Sequence, residues 1–289
     1  MTLNKLSLLF SMGFLAGSIQ WASAQPAGQT NYTWNGAGDG TSWGQAANWV
    51  GGVVPPSGGT TFQVFIGTGY PTTSPSPITV GASDVVHLND AIFGPEWGQT
   101  LNIYGSVTAG FGIFAMGAAA QPQSAINLYG TGSFTAGDTL SLGCAWWFPG
   151  GPNVAMNLYD NAHATANYLP LGGHLNLYGG SMTVNNALLT GGAAAPVFSG
   201  GLDTDATRLV DLAGGQLIFA GDATAQVVDM IARGILQGYG VNGAVAVDMV
   251  SDPGHTIVIG VVPEPASVTL LGLGGLAGAF WVRRRRSAN

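Results

Sequence analysis

Lysine is almost absent from this chain. Lys5 is the sole example, and apart from Arg208 and Arg233 every arginine lies in the last seven residues. Between residues 25 and 262, thirteen acidic side chains stand against those two arginines, a net charge of −11 with histidines neutral. Such a surface cannot neutralise phosphates, which excludes nucleic acid and other polyanions as partners. Cysteine is nearly missing too, and the single Cys144 excludes an internal disulfide. Followed by Ala145-Trp146-Trp147-Phe148, it reads as a buried apolar thiol rather than a nucleophile. Its position also excludes a lipoprotein, whose modified cysteine would directly follow the export signal. Charged residues are 7% of the chain, against about a quarter in an ordinary domain. Solubility then falls to Asn, Gln, Ser, Thr and backbone exposed at glycine turns, a balance common in extracellular bacterial surface proteins.

The two ends carry the longest apolar runs. Lys5 precedes the apolar stretch Leu6 to Ile19, and Ala22-Ser23-Ala24 supplies the small residues that a signal peptidase requires. Cleavage is expected between Ala24 and Gln25. At the other end, Val262-Pro263-Glu264-Pro265 reads as a stiff extended segment, because each proline fixes its φ and biases its predecessor away from helix. Residues 266–282 follow without a charge, at the lower limit of length for a helix crossing a bilayer. Arg283, Arg284, Arg285 and Arg286 close the run, a cluster held on the cytoplasmic side. This order of Pro-Glu-Pro, apolar segment and arginines resembles the PEP-CTERM sorting signal of Gram-negative and related bacteria. The resemblance implies recognition by an exosortase, a membrane-embedded cysteine protease-transpeptidase that processes near Pro-Glu-Pro. Pro263, Glu264 and Pro265 would then be substrate for another enzyme.

Between the ends a motif recurs. Leu101-Asn102-Ile103-Tyr104-Gly105, Ile126-Asn127-Leu128-Tyr129-Gly130, Met156-Asn157-Leu158-Tyr159-Asp160 and Leu175-Asn176-Leu177-Tyr178-Gly179 share one pattern, and Leu209-Val210-Asp211-Leu212 is a weaker copy. The asparagines are 25, 30 and 19 residues apart. Each motif alternates as a half-buried strand does, and glycine-punctuated strands follow it, such as Ser106–Ala109, Ser133–Ala136 and Ser181–Val184. Short strands recurring at this spacing predict an all-β, irregular parallel β-helix or solenoid, with Leu and Ile inward and Asn and Tyr outward or in ladders. A β-sandwich of the same strands is the alternative. Asp222 to Gly234 is the one convincing helix, with Asp222 at its start, Val227, Val228 and Ile231 on one face and Gly234 at its end.

The expected organisation is a signal peptide at 1–24, a Trp/Asn-rich cap at 25–98, repeats at 99–221, a helix-plus-strands cap at 222–261 and the sorting signal at 262–289. Trp34, Trp43 and Trp49 are expected to cover the open end of the stack. This opening resembles that of secreted proteins carrying PEP-CTERM or autotransporter-type β repeats, and the closing block resembles that of planctomycete-type β-repeat proteins.

Chemistry is sparse. The solenoid class includes polysaccharide lyases and glycoside hydrolases, so a β-helix enzyme on polysaccharide is the runner-up function. Asp203 and Asp205 near Arg208 form a minimal acid–base group and read as a surface turn. Asp138 and Asp160 follow different repeats and would have to align across one groove. His87, His163, His174 and His255 lack metal-ligand spacing, although His163 and His174 could stack on adjacent repeats. Gly38-Asp39-Gly40 is like part of a calcium loop but lacks the following acids, and reads as a turn. Trp97, Trp146, Trp147 and the repeated tyrosines could form a sugar-stacking stripe, with a packing ladder as the preferred reading. No catalytic residue, metal site or cofactor is assigned. The third possibility, an outer-membrane transporter passenger, fails for want of barrel-like strands at the C-terminus. The expected function is an exported, non-catalytic surface or matrix protein, structural or adhesive, with signal peptidase, exosortase, the membrane and exopolysaccharide as partners.

Overall fold

The computed structural model describes residues 30–58, 62–66, 77–95, 98–115, 122–143, 153–189 and 209–262. Alternation of apolar and polar residues makes short strands, and nearly every strand pairs in parallel with its counterpart one repeat away. The first tier comprises Ile78–Val80, Val85–Leu88 and Ala91–Phe93. The second comprises Thr100–Ile103, Ser106–Ala109 and Gly112–Ala115, and the third Ser124–Leu128, Ser133–Ala136 and Thr139–Leu142. In the fourth and fifth tiers the second and third strands fuse, giving Val154–Leu158 with His163–Pro170 and His174–Leu177 with Ser181–Leu189. Leu209–Leu212 and Gln216–Ala220 form the sixth. Among the described residues the three-strand tiers thus begin at Ile78, one tier before the first Asn–Tyr motif. Two parallel strands extend the third side beyond them, Phe62–Phe65 on Ala91–Phe93 and Thr30–Thr33 on Phe62–Phe65.

Pairing links like positions only. Asn102 is in register with Asn127, Asn127 with Asn157, Asn157 with Asn176, and Asn176 with Asp211. The uneven intervals of the motif are therefore absorbed between strands and leave the register intact. Inward positions form ranks through the stack. Leu101, Ile126, Met156, Leu175, Val210 and Leu236 follow one another in register and all are fully buried. Each such side chain removed from water stabilises the stack by about 1.5–3 kcal/mol. An antiparallel sandwich does not describe these ladders. Among the described residues, apart from an isolated Trp34–Trp49 bridge, antiparallel pairing enters past the sixth tier. There His255–Gly260 pairs with Gln216–Ala220, Val245–Asp248 pairs with His255–Gly260, and Val241–Asn242 pairs with Leu236–Gly238.

The helix spans Thr224–Ala232, shorter than the sequence reading, and Asp222 accepts from the Thr224 amide at 2.9 Å. Val227 and Met230 are buried, whereas Val228 is 60% exposed. The expected face was wrong at Val228: the helix contributes a narrow i, i+3 stripe to the end of the stack. Gly234, at φ +71°, ends it as expected. Among the described residues no helix is long and apolar enough to cross a membrane. Residues 263–289 and 1–29 lie outside the described residues, so the expected membrane helix, Pro263, Glu264, Pro265, Arg283, Arg284, Arg285, Arg286 and the Ala24–Gln25 junction do as well.

Candidate functional surface and sorting motif

The outward residues of the first strands form two ladders. Asn127 Nδ2 donates to Asn102 Oδ1 at 2.9 Å, Asn157 to Asn127 at 2.7 Å, and Asn176 to Asn157 at 2.8 Å. Parallel in-register pairing brings identical amides to one strand spacing, close to the length such a bond needs. Beside it, Tyr104, Tyr129, Tyr159 and Tyr178 stack ring on ring, with centroids 4.9, 4.8 and 5.2 Å apart. Burial raises the Tyr129 and Tyr159 pKa values, and the neighbouring phenols add to it. Tyr104 and Tyr178, the two ends, are 41% and 47% exposed.

This geometry separates the two readings of the tyrosine stripe. A sugar stacks on a ring face, but the inner faces here are occupied by neighbouring rings. Edges, hydroxyls and the two outermost faces remain. The arrangement is the packing ladder. Trp97, Trp146 and Trp147, the other members of the sequence stripe, lie outside the described residues.

Two further ranks carried no signal in the Asn–Tyr motif. Thr108, Thr135, Thr165 and Thr183 are in register on the second strands, beside Ser106, Ser133, His163 and Ser181. The Ser133 hydroxyl donates to Ser106 at 3.0 Å. On the third strands Phe65, Phe93 and Phe114 stack at 5.1 and 5.4 Å. The Ser-x-Thr spacing, repeated at 106, 133 and 181, was the available sequence signal for the first; the phenylalanines share no local motif.

The candidate chemical groups do not converge. His163 opens a second strand and pairs with Ser133 and Ser181, while His174 opens a first strand between Ala155 and Leu209. They stand on different sides, so the stacking considered from sequence does not occur. Asp160 occupies the corner after a first strand, at φ 54°, and its Oδ2 accepts from the Gly130 amide at 3.0 Å in the tier before. Asp138 occupies the next corner, where it accepts from the Thr139 hydroxyl at 3.0 Å. The second strand separates the two corners, so these carboxylates do not line one groove. Asp203, Asp205, Arg208 and Cys144 lie outside the described residues. Among the described residues no group of three or more His, Cys, Asp or Glu could hold a metal ion.

Asp39 is engaged in its own turn. Its Oδ1 accepts from the Thr41 and Ser42 amides and from Asn48 Nδ2, at 2.9, 2.8 and 2.7 Å. Donation from Ser42 first, then Asn48 and Thr41, holds its carboxyl well below the ordinary carboxylate range. Buried Asn48 in turn accepts from the Gly38 and Gly40 amides. The glycine-flanked aspartate is thus a turn organiser. It seats the tryptophan cluster, in which Trp49 meets Trp34 and Trp43 edge-on at 5.1 and 4.9 Å, and all three are buried. The Trp43 amide donates to Thr79 of the first tier at 2.9 Å, so the cluster lies against that end of the stack.

At the other end, among the described residues, the last backbone bond runs from the Val261 amide to Ala244 at 2.8 Å, and Val262 is 61% exposed. A family model described as the PEP-CTERM protein-sorting motif matches residues 261–286. No curated protein and no solved structure matches the chain. By that match residues 261–286 carry a PEP-CTERM protein-sorting motif, which indicates a protein sorted to the exterior by an exosortase.

Proposed function

We propose that the chain is a non-catalytic surface or matrix protein: a parallel β-helix rod exported by residues 1–24, held by a membrane helix at 266–282, and released from it near Pro263-Glu264-Pro265. The observation that carries this reading is the match of residues 261–286 to the PEP-CTERM protein-sorting motif. Support for a structural role comes from the outward polar side chains. The asparagines and tyrosines spend their hydrogen bonds and ring faces on one another along the stack, as reinforcement of a rod does. A role in an exopolysaccharide matrix, structural or adhesive, fits a surface so poor in cations. Mass spectrometry of the exported protein tests the reading. A C-terminus truncated near Pro263–Pro265 supports it; an exported chain still carrying Arg283–Arg286 overturns the processing step.

A further inference from the structure

Exposed apolar side chains are not spread evenly over the described residues. Fifteen large apolar or tyrosine side chains stand exposed there, and nine of them lie between residues 228 and 262. These residues make up the block that closes the stack, past the sixth tier. Val250 is the extreme case at 85% exposure, yet it is not a loose residue. Asp248 accepts from the Val250 and Ser251 amides at 2.8 and 3.0 Å and also bonds the Ser251 hydroxyl, which fixes the turn that presents Met249 and Val250. Those bonds hold the Asp248 carboxyl below its ordinary range, the Ser251 hydroxyl contributing most. Val241, Val247, Val261 and Val262 are exposed in the same block. A concentration of this kind, nine of the fifteen in one closing block of the described residues, is what an interaction site presents.

The chain that leaves this end identifies the occupant. Val262 is exposed at the exit, and the uncharged segment begins at Ala266, four residues on. Fully extended chain spans at most about 3.6 Å per residue, so the closing block sits within roughly 14 Å of that segment. Charge selects the lipid. The block holds Asp222, Asp229, Asp248 and Asp252 against the single cation Arg233, which pairs with Asp229 at 3.2 Å. It offers no basic patch to anionic headgroups, so its attraction to a bilayer must be apolar. We infer that the closing block is a membrane-contacting surface that seats on a zwitterionic lipid interface and holds the sorting motif there for its processing enzyme. This inference rests on the reading of residues 266–282 as a membrane segment.

The test uses residues 25–289 with Cys144→Ser, labelled with a polarity-sensitive dye at Val250→Cys or, at the far end of the stack, at Val85→Cys, whose side chain is 69% exposed. Melting curves verify that each variant folds. With phosphatidylcholine vesicles, the expected result is co-flotation together with a blue shift and lipid-nitroxide quenching at position 250 and neither at 85. Adding phosphatidylserine is expected to weaken the signal at 250. Co-flotation with both dyes in water overturns the docking surface and leaves the membrane segment standing. Failure to float overturns the membrane segment and the docking with it. A stronger signal at 250 with phosphatidylserine overturns the assignment to zwitterionic lipid.

Discussion

Asn176 and Asp211 are in register on neighbouring first strands, and the amide ladder stops between them. Asn176 Nδ2 already donates to Asn157, which leaves its Oδ1 facing the next tier. Asp211 is a carboxylate with no N–H to offer, and its Oδ1 instead accepts from the Gly240 amide at 3.0 Å. Asp211→Asn supplies the missing donor while its carbonyl keeps the Gly240 bond. The expected outcome is stabilisation by about 0.5–1.5 kcal/mol, the net contribution of one added hydrogen bond. Chemical denaturation of the purified domain measures it. Unchanged or reduced stability would show that the ladder's direction is not the one described.

How far the stack was legible follows from the same ladder. The Asn–Tyr motif carried both the register and the outward ladder, because alternation assigns Leu and Asn to opposite faces and identical residues then meet across tiers. The weak copy around Asp211 was legible for the same reason. The second strands were legible as well, at Ser106–Ala109, Ser133–Ala136 and the start of Ser181–Leu189, but the phenylalanine rank of the third side was not. Phe65, Phe93 and Phe114 meet only after three strands without a common motif have been aligned, and sequence spacing alone does not align them. At the closing block, Val228 fits an apolar helical face as well as Met230 does. Only the docking angle against the stack decides that Met230 is buried and Val228 is not.

Close approach of the tiers predicts a sharp difference between two glycines. A Cβ on Gly112 would overlap the carbonyl oxygen of Thr139 in the next tier, where backbone cannot give way without breaking the ladder. Gly44 has nothing within 4 Å of its would-be Cβ. Gly112→Ala is therefore expected to cost at least about 2 kcal/mol, and Gly44→Ala to stay within about 0.5 kcal/mol of the parent. Thermal melts of the pair decide it, and equal effects would contradict the described packing.

The tryptophan cluster gives a second contrast. Trp49 Nε1 donates to the Trp43 carbonyl at 2.8 Å, fully buried, whereas the buried Trp34 Nε1 has no acceptor among the described residues. Replacing Trp49 by Phe strands a buried carbonyl and is expected to cost about 1–3 kcal/mol before any loss of packing. Replacing Trp34 by Phe removes a desolvated donor, which offsets the smaller ring's lost contacts. Its net effect is expected within about 1 kcal/mol of zero. Should Trp34→Phe prove the more damaging in denaturant titrations, the assigned hydrogen bond would be misplaced.

His174 connects the stack to pH. It opens the first strand of the fifth tier, in register with Ala155 and Leu209, and burial pushes its pKa below the ordinary value. A histidine depressed by folding binds protons more readily in the unfolded chain, so acid draws the equilibrium toward unfolding. The neutral ring carries no penalty well above pH about 6.5, its unfolded value, and stability declines as pH falls through that value. His174→Gln keeps a polar side chain of similar reach without the titration. The difference in unfolding free energy between parent and His174→Gln is expected to shift in the variant's favour from pH 7.5 to about pH 5. A parallel pair of stability curves across that window would show that His174 is no more buried than an exposed histidine.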